Sequence, residues 1–133
     1  MTPQELKDRT MDFAVRVLRM AENLPRNVSG QTIARQIARS GTSVAANYRA
    51  ALRAKSRADF VHKVTIVLEE ADETGFWIEL AERVALVPQK RLTRLLDESE
   101  ALVKIFSATR RTARRNGTQE SGSERSRSAN HQS

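Results

Sequence analysis

The chain contains no cysteine. That removes disulfides, thiolate zinc sites and cysteine nucleophiles, and it suits a reducing compartment, so a cytoplasmic location is the expectation. Glycine and proline number only 5 and 3 in 133 residues. Those two residues break helices and shape turns, so a chain this poor in them can hold long helices. Aromatic residues make up 5% against 39% hydrophobic residues overall, so the core has to be mostly aliphatic. No apolar run approaches the roughly 20 residues needed to span a bilayer. Met1-Thr2-Pro3-Gln4-Glu5 lacks the charged-then-apolar pattern of a signal peptide, and no membrane association is expected. There is no Gly-rich phosphate loop and no nucleophile elbow, and no serine shares a helix face with a histidine. The expectation is therefore a non-enzymatic protein with no catalytic residues and no cofactor.

What is present is helical periodicity. A first helix is expected from Thr2, with Pro3 in its first turn and Glu5 at capping-box spacing. Its apolar stripe reads Leu6, Thr10, Phe13, Val17, Met20 and Leu24, and Pro25 ends it. A second helix is expected after Ser29-Gly30, from about Gln31 to Ala54. It carries two seams, one through Ile33, Ile37, Ser40, Val44, Asn47 and Ala51, the other through Ala34, Ala38, Gly41, Ala45, Tyr48 and Leu52. A helix with two seams touches two neighbours. A third opens at Ser56, with Asp59 at the third helical position. Its seam runs Phe60, Val64, Val67, Ala71, Thr74, Ile78, Ala81 and Ala85. A fourth begins near Pro88, with Leu92, Leu95, Ser99, Leu102 and Phe106 inward, and should fray after Arg115 because Asn116-Gly117 is a stop signal. Four helices with short loops predict an all-α, antiparallel up-down-up-down bundle over residues 1–115. Residues 116–133 have no aliphatic residue larger than Ala129. That segment cannot bury enough apolar surface to offset chain entropy, so a disordered Ser/Arg-containing tail is expected.

The formal net charge of +7 is distributed unevenly. No acid occurs between Glu22 and Asp59, while Arg35, Arg39, Arg49 and Arg53 fall there at spacings of four within each pair. A second acid-free run, between Glu100 and Glu120, holds Arg110, Arg111, Arg114 and Arg115. The third helix is acidic instead, with Glu69, Glu70, Asp72 and Glu73 in a single stretch. Arginine's planar fork suits phosphate. These eight arginines are therefore the candidate nucleic-acid-binding residues, with RNA or DNA as partner. The competing reading pairs the basic second helix with the acidic third, and the run from Arg110 to Arg115 is the stronger candidate because fewer acids lie near it.

Polar residues also sit on or beside the apolar seams: Ser40, Ser43, Asn47, Tyr48, His62, Glu70, Glu73, Thr74 and Trp77. A half-buried polar group must find a partner, so these residues are assigned to an interhelical hydrogen-bond network or a subunit interface. A di-iron centre would need two Glu-x-x-His motifs. Only Asp59-x-x-His62 comes near that pattern, so no metal is expected. The stretch from Ile37 to Tyr48 also looks like a helix-turn-helix unit with Gly41 at the turn, which makes a transcription regulator the less favoured alternative.

Three motifs occur in register: Arg39-Ser40-Gly41-Thr42-Ser43-Val44-Ala45-Ala46-Asn47-Tyr48-Arg49, then Asp59-Phe60-Val61-His62-Lys63, then Glu69-Glu70-Ala71-Asp72-Glu73-Thr74 with Trp77. Together they resemble the four-helix-bundle family named for proteins encoded in intervening sequences of 23S ribosomal RNA genes, over roughly residues 5 to 112. The resemblance implies a ring, typically a homopentamer. It also implies kinship with basic, nucleic-acid-binding accessory proteins of diversity-generating retroelements, and it brings no catalytic activity. A protein-interaction scaffold without a nucleic-acid role is the alternative. Ala50 stands where the family often has Glu, Gly75-Phe76 where a larger residue and Tyr are common, and the tail is not a family feature.

Overall fold

A computed structural model describes the backbone of residues 1–131 and the side chains of residues 1–117. It contains four helices: α1 (Pro3–Glu22), α2 (Val28–Ala51), α3 (Arg57–Val84) and α4 (Gln89–His131). Each packs on the next in the chain, and α1 and α4 meet only marginally. The result is an up-down bundle in which α2 and α4 lie diagonally. Their rings meet across the core, Tyr48 against Phe106 with centroids 5.2 Å apart.

The helix starts follow from their caps. The Thr2 hydroxyl accepts from the Glu5 backbone N–H, and the Glu5 carboxylate accepts from the Thr2 N–H, each at 3.1 Å. This reciprocal box satisfies two amides that the helix cannot. The Ser56 hydroxyl does the same for the Asp59 N–H at 3.0 Å. The second helix departs from expectation. It begins at Val28, because Asn27 is its cap and accepts from the Gly30 N–H at 2.7 Å. Gly30 lies inside the first turn, where a Cβ would overlap the Pro25 carbonyl. The helix also ends at Ala51, three residues before the expected Ala54. The third ends at Val84, and Ala85 takes the left-handed conformation, φ 56° and ψ 44°. The fourth does not stop at Asn116-Gly117. Its helical backbone continues through both residues, since an interior glycine costs a helix only about 1 kcal/mol relative to alanine and does not force an end. The disordered tail expected over residues 116–133 falls, past Gly117, on residues whose side chains lie outside the described residues.

The core is aliphatic, as the composition requires: Val17, Ile33, Ile37, Val44, Val64, Val67, Ile78, Leu92, Leu95 and Leu102 are buried around Phe13 and Phe106. Gly41 lies inside α2, and no turn interrupts the helix from Val28 to Ala51, which eliminates the helix-turn-helix alternative. A Cβ at Gly41 would come 2.6 Å from Val17 Cγ1 and 2.9 Å from Val17 Cβ and Cγ2. The glycine is there so that α1 can lie close against α2.

Candidate nucleic-acid interface

The polar residues of the central motif divide by where they point. Ser40 and Thr74 are fully buried between α2 and α3. Thr74 Oγ1 lies 2.8 Å from Ser40 Oγ and 2.8 Å from the Glu70 carbonyl. It has one proton and the carbonyl can only accept, so Thr74 donates to the carbonyl and accepts from Ser40. On the neighbouring interface, Ser99 of α4 donates to the Ala71 carbonyl at 2.8 Å. Among the described residues no buried side-chain nitrogen or oxygen lacks a partner. Above this pair, at the surface, Arg39 reaches across from α2 to Glu70 at 3.2 Å and also to Glu73. Glu73 additionally accepts from the Trp77 indole N–H at 3.2 Å.

The geometry therefore joins Ser40, Arg39, Glu70, Glu73, Thr74 and Trp77 into one α2–α3 seam, and Arg39 has its charge answered there. Ser43 and Asn47 turn back onto their own helix, donating to the carbonyls of Arg39 at 2.7 Å and Ser43 at 2.9 Å. Tyr48 is buried, and burial pushes its phenol pKa up. The half-buried Trp77 packs edge-to-face with Phe76, their ring centroids 4.9 Å apart. His62 is exposed on α3 and no hydrogen bond ties it to another helix among the described residues.

The remaining arginines separate by position along the rods. The up-down topology brings the end of α2, the start of α3 and the residues of α4 past Phe106 to the same end of the bundle. Arg49 lies there at the end of α2 and Arg53 in the turn that follows it, with Arg110, Arg111, Arg114 and Arg115 on α4, all exposed except the half-buried Arg110. Because α2 and α4 are diagonal, the two groups flank this end from opposite sides. Between α3 and α4 a shallow groove of about 520 Å³ opens beside Arg57, Thr109, Thr112 and Asn116. The nearby Asp59 is occupied. Its carboxylate accepts from Lys63 Nζ at 2.8 Å and from the Lys55 N–H at 3.2 Å, and these bonds hold its pKa below the usual aspartate value. Arg35 is exposed but stands about 20 Å up the rod from Arg49 at 1.5 Å per residue, so Arg35 and Arg39 are not part of this basic end.

One basic cluster escaped the sequence reading. Arg16 and Arg19 of α1 face Arg91 and Arg94 of α4 across a cleft of about 260 Å³ at the opposite end of the bundle. The pairs are 72 or more residues apart in sequence and are interspersed with Asp12, Glu22, Asp97 and Glu98, so no acid-free run marks them. Their common i, i+3 spacing was the available signal. Below the cleft, α1 and α4 are clamped by Arg9, whose Nε and Nη2 donate to the two Glu98 oxygens at 2.8 and 2.7 Å.

Among the described residues no group of three metal-ligating side chains comes together, and no helix is long and apolar enough to cross a membrane. The family profile described as 23S rRNA-intervening sequence protein matches residues 4–108. A crystal structure of a protein of unknown function from the S23 ribosomal protein family of Bacteroides thetaiotaomicron is similar at a TM-score of 0.77 and 34% identity. The match covers 84% of this chain and 99% of that one. No curated protein matches.

Proposed function

The chain belongs to the 23S rRNA-intervening sequence protein family, and from that premise we propose that it is a non-enzymatic, ring-forming bundle of the cytoplasm that binds RNA or DNA without sequence readout. The observation that carries this reading is the gathering of Arg49, Arg53, Arg110, Arg111, Arg114 and Arg115 at one end of a rigid rod. Arginine forks clustered at one end suit phosphate oxygens, and the binding proposed is general and electrostatic. The charge of +7 supports the same partner.

Ring formation draws support from α1. Met11, Val15 and Leu18 recur at i, i+4 and i+7 on its outer face and are 49%, 40% and 41% exposed. Such a stripe is the kind of surface a second copy covers. Light scattering at micromolar concentration should report an oligomer, and a monomer would overturn the ring. Nucleic acid should co-purify under gentle conditions, raising the 260/280 nm absorbance ratio. Replacing Arg110, Arg111, Arg114 and Arg115 with Gln should weaken binding to single-stranded RNA or duplex DNA at low salt, and unchanged binding would remove that run from the site.

A protein-interaction scaffold remains a second reading, favoured by one observation. Phe76 is 54% exposed beside a groove of about 340 Å³ that Asp72, Glu79 and Glu100 line between α3 and α4. A basic partner peptide would suit that groove; under this reading Phe76→Ser would abolish the partnership, and no nucleic acid would co-purify with the wild-type chain.

A further inference from the structure

We infer that the cleft between the end of α1 and the start of α4 seats one nucleotide unit, its phosphate among Arg16, Arg19, Arg91 and Arg94 and its base over Met20, Val87 and Leu95. The inference deepens the nucleic-acid reading by adding a second contact at the other end of the rod, and it can fail alone.

The cleft exists because α1 and α4 are the neighbouring helices that pack least. Arg16 and Arg19 share one face of α1, and Arg91 and Arg94 share one face of α4, so two pairs of guanidinium groups converge on the gap. All four are exposed, and none has an ion pair or side-chain hydrogen bond among the described residues. No acid lines the cleft. Glu98, on the same α1–α4 seam, is engaged by Arg9.

Four like charges around a concave gap repel one another and raise the local positive potential, and an entering anion relieves the repulsion. The ligand's chemistry follows from the donors and the floor. Forked guanidinium groups match the oxygens of a phosphate. Leu95 is buried, and with Met20 and Val87 it gives an apolar, polarisable surface where a flat ring can lie. At about 260 Å³, just under the usual size of a small-molecule pocket, the cleft suits a single small unit and not a folded element. The concave shape favours an inserted unit over a lipid surface, which would call for a protruding face. Along α4, Arg94 and Arg111 are about 25 Å apart at 1.5 Å per residue, so one strand of nucleic acid can engage both ends of a protomer.

The test is a methyl NMR titration of the full chain, observing Met20, Val87 and Leu95 at constant ionic strength, with adenosine monophosphate, adenosine and inorganic phosphate as probes. Adenosine monophosphate should shift all three methyl groups saturably, and adenosine or phosphate alone should bind far more weakly. Arg16→Gln with Arg94→Gln should weaken the monophosphate about tenfold or more, as expected for lost charge-assisted bonds. Arg16→Lys with Arg94→Lys should restore part of that loss if the site needs charge. The four-fold Gln variant at Arg110, Arg111, Arg114 and Arg115 should leave the titration unchanged. If that variant abolishes RNA binding while the methyl shifts persist, both sites stand. If RNA never binds yet the shifts persist, the function proposal fails and the cleft survives. Equal shifts with phosphate and with the monophosphate, shifts reproduced by potassium chloride, or arginine-dependent binding to anionic lipid vesicles without any response to the monophosphate would each overturn the inference.

Discussion

Gly41→Ala should destabilise the protein by about 2 kcal/mol, although the same change in an open helix stabilises. Alanine gains about 1 kcal/mol over glycine in helix propensity. Against this, the new Cβ would stand 2.6 to 2.9 Å from three atoms of Val17. Val17 is fully buried. It is also β-branched on a helix, with one strongly preferred rotamer, so it cannot turn aside. Overpacking of this kind costs typically 1 to 3 kcal/mol, and overlap with a stiff side chain places the cost near about 3, leaving the net near 2. The Val17→Ala background removes Cγ1 and Cγ2 but leaves Cβ at 2.9 Å. There, Gly41→Ala should lose most of its penalty and come out roughly neutral, about 1 kcal/mol of remaining overlap against about 1 kcal/mol of propensity. Urea unfolding of the four proteins in this cycle gives the coupling directly, expected at about 2 kcal/mol, within the range for residues in contact. Stabilisation by Gly41→Ala in the wild-type background would refute the close approach of α1 to an unbroken α2.

Thr74→Val keeps the shape but leaves the buried Ser40 hydroxyl without its acceptor, so it should cost about 1 to 3 kcal/mol. The double variant with Ser40→Ala should cost less than the sum, and strict additivity in denaturant melts would show that the two hydroxyls do not interact. The Arg9–Glu98 clamp is bidentate and partly exposed. Its double-mutant coupling should be below about 1 kcal/mol and fall with added salt, whereas a salt-independent value would argue against an ion pair. The Asp59 pKa is lowered mainly by the bond from Lys63 and next by the Lys55 N–H. The carboxylate therefore contributes stability that is present above the unfolded-state pKa and lost as pH falls through the lower folded value. Carbon-13 NMR should give a folded midpoint under the ordinary aspartate range, and Asp59→Asn should flatten that part of the stability profile. A midpoint at the ordinary value would remove Asp59 from the account of how α3 begins.

Most of the bundle could be read from stripes of apolar residues, because a helix that must bury one face repeats its side chains at 3.6 residues whatever its neighbours do. The seams through Leu6 to Val17, Ile33 to Val44 and Val64 to Ala81 are all in the core. Caps were legible when an N-cap hydroxyl preceded an acid by three, as at Thr2 and Ser56. The Asn27 cap was not legible, because the sequence does not show that Gly30 faces the Pro25 carbonyl. The same holds for Gly117, where a stop signal sits within a helical backbone. Among the candidate site residues, the buried Ser40–Thr74 pair was legible because both sit on apolar seams, whereas Arg39, expected on nucleic acid, pairs with Glu70 and Glu73. The cleft of Arg16, Arg19, Arg91 and Arg94 was not, since only the return of α4 alongside α1 brings those two pairs together.

The most direct measurement is the salt dependence of RNA affinity for the wild-type chain and for the Gln variant at Arg110, Arg111, Arg114 and Arg115. Phosphate binding at the basic end predicts a steep linear fall of log affinity with log salt, and a slope reduced by about one for each contacting arginine removed. A flat dependence, or an identical slope in the variant, would contradict it.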